Sequence, residues 1–88
     1  MMKKYWPKVF SVGSPAIYRI IVFGHADADL SDELGGMQMT PARSDDGSET
    51  MTLVGRVADQ GALIGVLNAL YSMRMPVLSV ECLEVEGS

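Results

Sequence analysis

A chain of 88 residues with 48% hydrophobic and only 20% charged residues lies near the lower size for a self-sufficient core, and it carries more apolar side chains than a small monomer hides easily. The net charge is −4, and once Lys3, Lys4 and Lys8 are set aside four positive charges face eleven negative ones. That balance excludes a phosphate-tracking surface, and with it nucleic acid as a partner.

The apolar surplus, with a mean hydropathy of +0.17, predicts a homo-oligomer, dimeric or larger. Cys82 is the lone cysteine and cannot close an internal disulfide, which fits a reducing, cytoplasmic setting. The basic start M-M-K-K-Y-W-P-K is broken by Pro7 and Lys8 before a signal-type apolar run forms. No segment approaches the roughly 20 apolar residues that a membrane span needs. The expectation is a soluble protein with no membrane partner.

Residues 1–15 form a basic and aromatic lead-in, closed by the turn formers Gly13-Ser14-Pro15, and residues 16–88 form a single domain. Tyr5, Trp6 and Phe10 of the lead-in are expected to cover apolar surface on the core or on a neighbouring subunit. Ala16 to Gly24, A-I-Y-R-I-I-V-F-G, is β-branched, aromatic and apolar on both faces, which predicts a central strand that needs cover on each side. His25 to Gly36 begins as an acidic loop; Ser31 is placed to cap one helical turn, and Gly35-Gly36 stop it at once. Met37 to Arg43 alternates like a strand, and Pro41 confines it to an edge. Asp46-Gly47 supplies a hairpin turn, after which Glu49 to Val57 returns as the partner strand. Asp59 caps a helix to about Met73, with Leu63, Val66, Leu67 and Leu70 on its buried stripe and Gly65 permitting close approach to the sheet or to another subunit. Pro76 ends that helix, and Val77 to Val85 is the last strand.

The order predicts an α+β, ferredoxin-like β-α-β-β-α-β sandwich: a four-stranded antiparallel sheet with a very short first helix and one long helix. Right-handed crossovers place the first and third strands centrally and both helices on one face. The uncovered face is then the expected oligomer interface.

The chemical signals are few. His25 with Asp27, Asp29, Asp32 and Glu33 is the one cluster that invites a metal, through His25, Asp27 and Asp29. Its D-x-D-x-S start fails the spacing of an EF-hand, because Asp32 stands at the turn glycine and Gln38 at the bidentate acid. No nucleophile is paired with a base by any local signature, so no catalytic residue is expected. Cys82 lacks the cationic neighbour that a reactive thiol requires. Gly55, Gly61 and Gly65 fit neither G-x-G-x-x-G nor a P-loop, which leaves nucleotide binding unsupported and no cofactor expected. The start of the long helix, at Asp59, Gln60 and Gly61, is the best small-ligand locus, because free first-turn amides attract a carboxylate.

The segment G-R-V-A-D-Q-G-A-L-I-G-V-L-N-A-L, followed by P-V-L-S-V-E, resembles a family of small uncharacterised microbial proteins that share a D-Q-x-A-L-x-G-x-L-x-x-L segment. The stretch from Tyr18 to His25 is similar to the same family's first strand. Ile64 stands where a histidine is common in that family, and the short first helix lacks its usual tryptophans. The resemblance implies the fold and carries no assigned activity. A weaker likeness is to ACT-type regulatory domains, through Asp59, Gly61 or Gly65, Leu63 and Leu67, and it implies small-ligand binding. Three readings follow: a non-enzymatic, self-associating interaction or accessory subunit; an ACT-like ligand-binding module; and a small enzyme or metal site using His25.

Overall fold

The computed structural model describes residues 14–24 and 34–86. The expected first helix, capped at Ser31, lies outside the described residues, as do residues 1–13 of the lead-in. Strands β1 (Ala16–Phe23), β2 (Gln38–Arg43), β3 (Glu49–Val57) and β4 (Val77–Val85) form one sheet with helix α1 (Gln60–Ser72) between β3 and β4 in the chain. The class is α+β. The strand order is β2-β3-β1-β4, with every neighbouring pair antiparallel. Hence β1 and β2 run parallel with β3 between them, and β3 and β4 run parallel with β1 between them.

The β-branched run of β1 takes the centre because both of its edges find partners. Ala16, Tyr18, Ile20 and Val22 point to one face and are buried, opposite Val57, Gly55, Leu53 and Met51 of β3. Helix α1 closes this face with buried Val66 and Leu70, and half-buried Leu63 and Leu67 pack beside them. These four residues recur at helical spacing, so one stripe of the helix meets the sheet. Leu34 and Met37 complete the core.

Each connection has a local cause. Asp46 Oδ1 accepts from Ser44 Oγ at 2.6 Å and Ser48 N at 2.9 Å, and Gly47 takes the positive φ of +87° that closes the β2–β3 hairpin. After α1 the chain leaves through Arg74, at φ 59° the one described non-glycine residue in the left-handed region. Arg74 N donates to Tyr71 O at 2.9 Å and Met75 N to Leu70 O at 3.0 Å. That hydrogen-bond pair is a Schellman ending, and buried Leu70 and Met75 supply its apolar contact.

Two glycines exchange the roles that their positions suggest. A Cβ on Gly65 would meet nothing within 4 Å, so this glycine brings the helix no closer to the sheet. At Gly55, in mid-strand, a Cβ would fall 3.0 Å from Met37 Cγ and 3.1 Å from Met37 Cα. The segment entering β2 therefore crosses directly over the β3 backbone there, and close packing requires the missing side chain.

Strand β4 keeps its register with β1 only by skipping two residues. Ile17 pairs with Glu84 but Tyr18 with Cys82, and Ile21 pairs with Ser79 but Val22 with Val77, leaving Leu83 and Leu78 as bulges. The bulges bring Val85, Cys82, Val80 and Val77 opposite the core-facing residues of β1.

Candidate functional site

At the start of α1, Asp59 is extended (φ −164°, ψ 178°) and its Oδ1 accepts from Ala62 N at 2.8 Å. The carboxylate therefore works as the N-cap. Gln60 beside it is half-buried and Gly61 is exposed. The helix start thus brings Asp59, Gln60 and Gly61 together on one turn. The metal candidates His25, Asp27 and Asp29 lie outside the described residues; among the described residues no group of three or more His, Cys, Asp or Glu side chains converges.

Cys82 is half-buried on β4, directly across from Tyr18, and its Sγ lies 4.0 Å from the Glu84 carbonyl. Burial pushes the Tyr18 hydroxyl above its ordinary pKa, and Cys82 adds to the shift by charge repulsion and by a hydrogen bond. Among the described residues no buried side-chain nitrogen or oxygen lacks a hydrogen-bond partner.

Two clefts lie away from the helix start. One, of about 230 Å³, is lined by Gly24, Pro41, Ala42, Arg43, Glu49 and Thr50. Its cation is engaged, since Arg43 Nη1 donates to the Gly47 carbonyl at 2.8 Å. The other, of about 470 Å³, sits at the far end of α1, against Tyr71, Ser72, Arg74, Met75 and Pro76. Arg74 makes no ion pair with any described residue.

The most distinctive surface is apolar. Phe23, at the end of β1, and Val77, Leu78, Val80 and Leu83 of β4 are each 40–54% exposed. Among the described residues, five of the seven exposed large hydrophobic side chains thus fall on two adjacent strands at one margin of the sheet. The sheet face turned away from α1 adds half-exposed Ile17 and Ile21 of β1 and Val54 of β3, and no described element packs on it. Two charged pairs on this face are matched internally. Arg19 Nη2 meets Glu81 Oε1 at 2.7 Å, and Arg56 Nε meets Glu86 Oε2 at 2.9 Å.

The sequence holds a signal for this surface that strand alternation alone passes over. The apolar doublets Val77-Leu78 and Cys82-Leu83 each break the period of two, and each break is a bulge. A bulge residue has no cross-strand partner, so its side chain is left outside the ladder. Among the described residues no helix is long and apolar enough to cross a membrane.

Residues 17–81 match the family described as Domain of unknown function (DUF8691), a span of more than half of the chain. The chain belongs to that family. No curated protein matches it, and no solved structure does.

Proposed function

We propose that this member of the family is a non-enzymatic, cytoplasmic module of ferredoxin-like fold that self-associates through its sheet and serves as an interaction or accessory subunit. The observation carrying this reading is the gathering of Phe23, Val77, Leu78, Val80 and Leu83 along the β1–β4 margin of the sheet, with Val77 and Val80 on the α1 face and Phe23 on the other. Full burial of a Val, Leu or Phe side chain contributes roughly 1.5–3 kcal/mol, so a half-exposed one leaves about 1 kcal/mol unrealised. Scattered singly, such residues need no explanation; gathered along the margin formed by two neighbouring strands, they are of the kind that marks an interface.

The strand order β2-β3-β1-β4, with each parallel pair split by a third strand, supports the ferredoxin-like reading. The internal pairing of Arg19 with Glu81 and of Arg56 with Glu86 neutralises two of the carboxylates on this face and leaves Glu84 as the charge that two copies would have to keep apart. The lone cysteine fits the cytoplasmic setting.

The test is sedimentation equilibrium across a concentration series. The expected result is a mass above 9.5 kDa that falls on dilution. A well-folded chain that stays at the monomer mass throughout the series overturns the proposal.

A second reading, a regulatory module for a small carboxylate, draws support from the cleft at Tyr71–Pro76, whose lining includes a cation, Arg74, and two hydroxyl-bearing residues, Tyr71 and Ser72. Its ligand would be an anion with an apolar body, seated against Met75 and Pro76. Isothermal titration with acidic amino acids and short aliphatic carboxylates, repeated on Arg74→Ala, tests it. Binding that Arg74→Ala leaves intact, or no binding to either chain, removes the reading.

A further inference from the structure

We infer that two copies of this chain pair β4 against β4 about a two-fold axis at Val80, joining their sheets into one. The inference rests on the self-association proposed above and names its geometry.

The two edges of the sheet differ in kind. Strand β2 is six residues long, half of them polar, and contains Pro41, which has no N–H to donate. Strand β4 is nine residues long, free of proline and largely apolar. Its outer edge meets no described strand. Natural sheets blunt exposed edges with proline, charge, bulges or short strands. The β2 edge is short and carries Pro41 and Arg43, whereas β4 is longer and is guarded by Glu81, Glu84 and two bulges, at Leu78 and Leu83, which bracket a regular stretch from Ser79 to Cys82.

The register follows from symmetry and charge. A two-fold axis perpendicular to the sheet keeps like faces together, so residues that meet must share a face and the axis must fall on a residue. Inside the regular stretch the choices are Val80 and Glu81. An axis at Glu81 sets two carboxylates directly opposite each other, which is destabilising. An axis at Val80 sets Val80 against Val80 and Ser79 against Glu81. Glu81 already holds Arg19 of its own protomer at 2.7 Å. Exposed Leu78 and Leu83 then stand near the two ends of the shared ladder. The partner is a second copy because this register is self-complementary: the same strand supplies apolar residues and separated carboxylates to both sides.

Three measurements test the pairing on the full chain. In a Cys82→Ser background, Val80→Cys should crosslink to a covalent dimer with a short thiol-to-thiol reagent, while Ile64→Cys, exposed on α1, should not. Val80→Lys, at a position already 41% exposed, should keep the circular dichroism spectrum of the parent and shift the species from dimer to the 9.5 kDa monomer. Should either variant fail to fold, hydrogen exchange on the unaltered chain decides: β4 amides should gain protection as concentration rises through the dimerisation range, and β2 amides should not. A stable dimer that Val80→Lys leaves intact overturns the β4 pairing while leaving self-association standing. Protection of β4 that is independent of concentration overturns it in favour of residues 1–13 of the same chain as occupant. A monomer at all concentrations overturns both.

Discussion

Replacing Gly55 by alanine tests the tightest contact in the core. The added Cβ would lie 3.0 Å from Met37 Cγ, 3.1 Å from Met37 Cα and 3.3 Å from Met37 Cβ, whereas carbon atoms rest at about 3.5–4.0 Å. Met37 is 1% exposed and belongs to the core cluster, so neither its side chain nor its backbone has free space to enter. Overpacking of this kind costs about 1–3 kcal/mol. Alanine recovers roughly 0.5–1 kcal/mol through its smaller loss of backbone freedom in a strand. The net expectation is a loss of about 1–2 kcal/mol, or a fall in Tm of roughly 5–15 °C for a chain of this size. Urea unfolding followed by circular dichroism measures it. Because one touched atom is the Met37 Cα, Met37→Ala in the same chain should relieve only part of the clash, leaving a measurable coupling between the two sites. Unchanged or increased stability of Gly55→Ala would refute the close crossing.

Arg74 occupies a left-handed position at φ 59° where glycine is favoured. Arg74→Gly should therefore raise stability by about 0.5–1 kcal/mol in the same unfolding assay, the strain relieved exceeding the entropy that glycine adds to the unfolded chain. Asp59→Ala removes the acceptor for Ala62 N and should cost about 1 kcal/mol, with increased amide exchange confined to the first turn of α1. The Asp46 carboxylate is held at about 2, below its usual range, by hydrogen bonds from Ser44 and Ser48. A depressed value means that the turn's contribution is complete above the unfolded pKa of about 4 and is lost as pH falls through 2. An NMR titration of Asp46 with a midpoint near 4 would contradict the turn geometry.

Local chemistry made much of the fold legible. Asp46-Gly47 and Asp59 are short-range signals whose partners lie within three residues, so the hairpin and the helix start can be read directly from neighbours in the chain. The stripe Leu63, Val66, Leu67, Leu70 sets the buried face of the helix in the same way, and Pro76 signals its end approximately, although the helix stops at Ser72 through the Arg74 turn. What could not be read is tertiary. The need for glycine at position 55 is imposed by Met37, eighteen positions away, through a crossing that no local pattern encodes. The glycine that local reasoning singles out, Gly65, faces open space. At the candidate surface, the doublets Val77-Leu78 and Cys82-Leu83 are visible as breaks in alternation, but only pairing with β1 turns them into bulges with outward leucines.

The unlike edges of the sheet also govern how far assembly can proceed. Pairing through β4 uses a single edge of each protomer and leaves Pro41-bearing β2 at both outer margins of the joined sheet. If the proposed β4 pairing holds, growth by strand addition has only the Pro41-bearing edges to use, which favours a finite pair over a filament.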